Sequence, residues 1–225
     1  MATILDNLQG VKARIARAAQ AAGRDPAAVT LLAASKTHGI ERIAAAKAAG
    51  QRAFGENYVQ EALEKMDAVP GTEWHLIGPL QGNKTRLAAE RFDWVQTLDR
   101  LKIARRLSEQ RPVHLPALNV LIQVNVSGEA TKSGVAPEEI AVLAEAVAEL
   151  PRLRLRGLMA IPAPESPVGL AEMNQLYQSV RARFGFDTLS MGMSDDLEAA
   201  IAQGSTMVRI GTAIFGKRKT EKAAA

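Results

Sequence analysis

Residues 29–35 (VTLLAAS) form a short apolar run, and Lys36 follows it directly. An ammonium buried without a partner is unfavourable, so a lysine at the end of such a run either emerges into solvent or belongs to a site that uses its amine. The far end of the chain favours the second reading. Residues 190–196 (SMGMSDD) lead from another apolar run into a helical segment, with Ser194 placed to cap its first turn, and residues 208–212 (VRIGT) bring Gly211 and the hydroxyl of Thr212. A serine hydroxyl, the free N–H groups of a helix start, a glycine that admits close approach and a threonine hydroxyl make a phosphate cradle. An amine beside a phosphate site points to an aldehyde-bearing phosphate, which a lysine kept partly neutral by desolvation and a nearby positive charge captures as a Schiff base. Arg209 supplies the candidate charge. Each residue also has a plain structural alternative: helix capping for Ser194, a turn for Gly211, and an ion pair with a carboxylate on a neighbouring strand for Arg209.

Weaker candidates surround these. The segment FGENY (54–58) sets Glu56 and Asn57 beside Lys36, with Asn57 alternatively an N-cap of the following helix. His75 falls inside an apolar run and reads as a hydrogen-bonded interior histidine, while Asp195 and Asp196 read as acids complementing a helix dipole. Lys132, in TKSG (131–134), lies on a loop flanked by Gly128 and Gly134, and could meet an aldehyde during cofactor transfer without being its resting attachment point.

These residues need a frame that puts run ends together. Short apolar runs at 29–35, 52–55, 73–77, 93–97, 118–126, 153–160, 187–191 and 207–211 alternate with amphipathic stretches, after a helical segment at 4–22. Eight such strands with seven intervening helices predict a single closed (β/α)8 TIM barrel, in which function sits at the carboxyl ends of the strands and phosphate binds after strands seven and eight. Closure makes strand eight the neighbour of strand one, so Lys36 meets the cradle, and the strand period turns Arg209 inward with Met207 and Gly211. The open doubly wound alternative calls for a G-x-G-x-x-G turn, which AASKTHG is not.

Composition excludes several classes. The 225 residues fit one domain, and the absence of cysteine rules out disulfides and thiolate metal sites, while His38, His75 and His114 lack zinc spacing. No apolar run approaches the roughly 18 residues of a membrane span, and no signal segment precedes the first helix, so a cytoplasmic location is expected. Residues 217–222 (KRKTEK) carry +3 of the net +4, so the expected division is a barrel with its N-terminal helix over 1–216 and a basic, disordered tail over 217–225. Arg152, Arg154 and Arg156 alternate with leucines as the polar face of a strand, and aromatics are only 4%, so nucleic acid is not an expected partner.

The motifs AASKT, FGENY, WHLIGPLQGNK, GLMAIPAP and SMGMSDDLEAAIAQGSTMVRIGTAIFG, in this order from about residue 4 to 216, resemble the YggS/PROSC-like family of pyridoxal 5′-phosphate (PLP) homeostasis proteins. The resemblance implies a fold similar to the N-terminal barrel of alanine racemase, with PLP as cofactor on Lys36 and Arg209 facing the pyridine nitrogen. It also implies phosphate contacts from Ser194, Gly211 and Thr212, with Asn57 lining the cofactor. The chain departs from the family at Gly39, where proline often follows SKT, and at Leu76 and Gly82, where Phe and Ser are common. The expected function is a PLP carrier or buffer without catalytic turnover, a monomer whose further partners are transiently engaged apo PLP enzymes. Alternatives are a PLP-dependent racemase, for which two positioned acid/bases are missing, and a Schiff-base aldolase on a phosphorylated substrate.

Overall fold

A computed structural model describes residues 2–129, 131–161 and 167–216 of the chain. The chain opens with helix α1 (Ile4–Ala21), started by a capping box in which Thr3 and Asp6 exchange hydrogen bonds, and its stripe Leu8, Val11, Ile15, Ala18 and Ala19 is buried. Strands and helices then alternate: β1 (Thr30–Ala34), α2 (Ile40–Ala48), β2 (Ala53–Glu56), α3 (Val59–Ala68), β3 (Glu73–Leu76), α4 (Thr85–Arg91), β4 (Trp94–Leu98) and α5 (Leu101–Gln110). The second half continues with β5 (Leu118–Val124), α6 (Ile140–Ala148), β6 (Leu153–Ala160), α7 (Pro167–Phe184), β7 (Thr188–Ser190), α8 (Leu197–Ala202), β8 (Met207–Ile210) and α9 (Thr212–Phe215).

All neighbouring strands are parallel, in sequence order, and β8 returns to β1 to close the barrel. The expected (β/α)8 fold is therefore present, with each strand within two residues of its expected bounds. One α-helix among the described residues goes beyond the expected set: α9 is a single turn, too short to carry a 3.6-residue period.

Strand alternation divides the core into two shells. Ala33, Phe54, Leu76, Val95, Val120, Leu158, Val208 and Ile210 belong to the large cluster between strands and helices. Leu32, Ala34, Ala53, Ile77 and Met207 form a smaller cluster inside the barrel, and Trp94, Leu121 and Met159 form another. The inner space also holds polar groups, which must therefore be bonded to one another. Buried His75 bonds Glu73 through Nε2 at 2.7 Å and Gln96 through Nδ1 at 2.8 Å, stacks on Trp94, and is kept neutral because burial lowers its pKa. This is the interior histidine the sequence predicts.

At the amino end, Arg152 donates to Ser108 O, and Arg156 pairs with Asp187 while lying over the Trp94 ring. Two of the three clustered arginines are thus tied into the frame, while Arg154 is exposed. Residues 217–225 and 162–166 lie outside the described residues, and so do the basic tail and part of GLMAIPAP. Among the described residues no helix is long and apolar enough to cross a membrane, and no group of three or more His, Asp or Glu could hold a metal ion.

Candidate functional site

The carboxyl ends of the strands surround a cavity of about 430 Å³. Lys36, Asn57, Ser194, Arg209, Gly211 and Thr212 all line it, together with Lys132 on the side of β5. Barrel closure produces this convergence. The β1–β8 register pairs Leu32 with Arg209 and Ala33 with Ile210, so the next step sets Gly211 beside Ala34, two residues before Lys36. A Cβ on Gly211 would stand 3.0 Å from Ala34 O, closer than ordinary packing allows, so the glycine is what lets the two strand ends approach.

Arg209 points into the barrel, as its strand position predicts, but among the described residues it forms no ion pair with a neighbouring strand. Its guanidinium donates to Ser190 Oγ at 2.8 Å and to Ala160 O at 2.8 Å, spanning the ends of β6, β7 and β8. Ser190 in turn donates to Gln96 Oε1 at 2.7 Å. Both acceptors of the arginine are neutral, and burial pulls its pKa down to about 10. The group stays charged at neutral pH, a buried cation at the floor of the cavity.

The segment after β7 corrects two expectations. Ser194 does not cap the next helix: α8 starts at Leu197 with Asp196 as its N-cap residue, and Asp196 Oδ1 instead takes the Met193 N–H, at 2.5 Å. An acid at that position makes this helix start unsuited to an anion. Asp195 stands before the helix as well, and lines the cavity. The Ser194 hydroxyl faces across to the start of α9, 3.5 Å from Ala213 N. The hydroxyls of Ser194 and Thr212 and the backbone around Gly211 therefore meet on one wall.

Asn57 is not an N-cap either, since Tyr58 holds that position in α3 and gives no side-chain cap. A Cβ on Gly78 would lie 2.3 Å from Asn57 O, so glycine there allows the loop after β3 to press Asn57 against the cavity. Asn57 Oδ1 is buried without a hydrogen-bond partner among the described residues. Such an atom in a cavity wall is unfavourable until something fills it.

Lys36 sits in an unusual turn. Thr37 has φ 67°, a left-handed conformation that β-branched residues rarely adopt and that costs about 1–3 kcal/mol. Its N–H donates to Glu61 Oε1 at 2.7 Å. Behind the turn, Lys65 Nζ bonds Ser35 O at 3.0 Å, Glu56 Oε1 at 2.8 Å and Glu61 Oε1 at 2.6 Å, while Ser35 Oγ donates to Glu56 Oε1 at 2.5 Å. Burial raises the Glu56 pKa against the opposing pull of Lys65. Glu61 and Lys65 went unnoticed in the sequence because an i,i+4 pair on an amphipathic helix looks like ordinary surface pairing. Gly39, where the family often has proline, has φ −71°, a value the proline ring also holds, so this departure leaves the turn's geometry intact.

Lys132 pairs with Glu129 at 2.8 Å, on a loop pinned at its base by bonds between Asn125 and Val135 and between Val135 and Gln123.

The model for the alanine racemase N-terminal domain matches residues 7–219 of the chain. A pyridoxal phosphate homeostasis protein of Pseudomonas aeruginosa is 60% identical, with 97% of each chain covered. One from Escherichia coli K12 is 57% identical, covering 99% of this chain and all of the other. Among solved structures, PipY of Synechococcus elongatus, with PLP bound, is similar at a TM-score of 0.82 and 32% identity, covering 95% of this chain and all of PipY.

Proposed function

The chain belongs to the family of pyridoxal phosphate homeostasis proteins, which has the alanine racemase N-terminal fold, and from that membership we infer that its barrel mouth holds PLP with Lys36 as the covalent anchor. The observation that carries this reading is the convergence of Lys36, Arg209 and the unpartnered Asn57 Oδ1 on one cavity of about 430 Å³. That size falls within the 300–1,000 Å³ usual for small-molecule sites. Its three basic side chains, Lys36, Lys132 and Arg209, suit a phosphorylated anion, and PLP when bound supplies an aldehyde that condenses with a primary amine. Lys36 Nζ forms the C=N bond to the aldehyde carbon, and its two hydrogens leave with the aldehyde oxygen as one water. Ser194, Gly211 and Thr212 hold the phosphate, Arg209 faces the ring nitrogen, and Asn57 Oδ1 accepts a hydrogen bond.

The role is that of a carrier or buffer without turnover. Arg209 stays protonated and so discourages protonation of the ring nitrogen, which weakens the ring as an electron sink. Racemisation needs two positioned acid/bases, and neither tyrosine of the chain is available. Tyr58 is largely exposed and outside the cavity, and the Tyr177 hydroxyl is buried against Phe186 O at 3.2 Å. Apo PLP enzymes are the proposed recipients, a monomer the proposed state and the cytoplasm the proposed location.

Borohydride reduction of the PLP-loaded protein followed by peptide mass spectrometry tests the anchor. The expected product is a phosphopyridoxyl group on Lys36, with the visible absorbance lost in Lys36→Ala and the thermal transition kept. A modified lysine elsewhere in the wild type would overturn the assignment.

A further inference from the structure

The residues just behind Lys36 form a bonded unit that takes no part in lining the cavity. Lys65 has three N–H donors, and all three are used, on Ser35 O, Glu56 Oε1 and Glu61 Oε1. The Lys65 side chain is 5% exposed and that of Glu56 is fully buried, whereas Glu61 is 29% exposed. The acceptors come from three separate places in the chain. Ser35 directly follows β1, Glu56 ends β2, and Glu61 lies one turn before Lys65 on α3. The same Glu61 oxygen also takes the N–H of Thr37, and Ser35 N–H pairs with Gly55 O at 2.9 Å. Lys36 is thus gripped on both sides by backbone bonds, one through Ser35 and one through Thr37.

Thr37, alone among the described non-glycine residues, has a positive φ. A strained conformation of this kind persists where its surroundings over-determine it. Here the surroundings are a buried ammonium with two carboxylates, which in a low-dielectric setting hold their geometry strongly and are unfavourable to disrupt singly. Without them the chain after Ser35 would relax to an ordinary φ, and the direction in which the Lys36 side chain leaves the strand would change.

We propose that Lys65, Glu56 and Glu61 are positioning residues, which lock the Ser35–Thr37 turn so that Lys36 Nζ meets an aldehyde held by the phosphate wall across the mouth. Lys65 itself, saturated and walled off from the cavity, is not an alternative anchor. Attachment depends steeply on such placement, since a reacting pair must be held near contact distance and aligned. The phosphate wall, built from the segments after β7 and β8, does not depend on the triad. Binding through the phosphate and attachment at the amine therefore separate.

The proposal rests on Lys36 being the anchor, and its test uses that separation. Glu61→Ala, the change at the more exposed member, is expected to fold. Its affinity for pyridoxine 5′-phosphate, which has the phosphate but no aldehyde, should stay within twofold of wild type. Its rate of attaching PLP, followed by visible absorbance, should fall at least tenfold. Glu61→Gln keeps an acceptor for the Thr37 N–H and should recover part of that rate. The double variant Lys65→Met, Glu56→Gln removes the buried charges together, so that no lone ion is left inside, and should show the same split. Attachment at the wild-type rate in these variants would overturn the proposal, as would an equal loss for both ligands, which marks general loosening. Trapping of PLP on a different lysine in the wild-type protein would instead refute the anchor assignment, a separate and recognisable result.

Discussion

At the scale of the residue, Arg209 shows a site built against the interest of the empty fold. Burial lowers the Arg209 pKa from its ordinary value to about 10, which corresponds to roughly 3 kcal/mol of unfavourable burial. Because the folded value lies below the unfolded one, the charged form is disfavoured at every pH below about 10, so the penalty is constant through the neutral range. Removing the guanidinium lifts it but strands Ala160 O, at a loss of about 1–3 kcal/mol, while Ser190 keeps its bond to Gln96. The two effects nearly cancel. Arg209→Met should therefore leave the melting temperature of the PLP-free protein within about 4 °C of wild type. PLP affinity should fall about tenfold or more, because a bond to a charged group is lost. Calorimetry and a PLP titration check both, and a large drop in stability with affinity retained would assign the arginine to the fold alone.

At the scale of the element, the N-terminal helix braces the phosphate wall. From α1, Asn7 donates to Ile214 O at 2.9 Å, and Arg14 reaches Ser194 O at 3.1 Å while pairing with Glu198 at 2.7 Å. Arg42 of α2 adds a bond to Phe215 O. The Arg14–Glu198 pair is partly exposed and so contributes little stability, typically under about 1 kcal/mol. Its effect should be local. Arg14→Ala is expected to keep the melting temperature within about 4 °C and to weaken PLP several-fold while leaving pyridoxal, which lacks the phosphate, unchanged; equal weakening of both would remove the helix from this role. Sequence periodicity revealed the barrel because buried parallel strands and amphipathic helices each leave a strong repeat, and closure then put Lys36 next to Gly211. What it missed are contacts decided by competition in space. Ser194 loses the helix start to Asp196, and the Lys65 triad joins three elements that no local pattern links.

At the scale of the whole molecule, the mouth has an amine on each side. Lys36 follows β1 and Lys132 follows β5, roughly opposite in an eight-stranded barrel, and both line the one cavity. Strand five is remote from the phosphate wall, so Lys132 is poorly placed as a resting anchor. It is better placed as a second amine for an aldehyde on its way out. Its side chain is 32% exposed and paired with Glu129, whose pKa is lowered chiefly by that bond. Breaking this exposed pair is a small barrier, and it frees the ammonium without disturbing the loop base. Transfer of PLP from the loaded protein to an apo-enzyme should therefore slow in Lys132→Ala, by about threefold or more, and quicken in Glu129→Gln, while the absorbance of the Lys36 linkage at equilibrium stays as in wild type. Stopped-flow transfer beside static spectra separates the outcomes. Equal transfer rates in all three proteins would leave Lys132 a solvated loop residue, and a lost resting absorbance in Lys132→Ala would make it part of the anchor rather than of the exit.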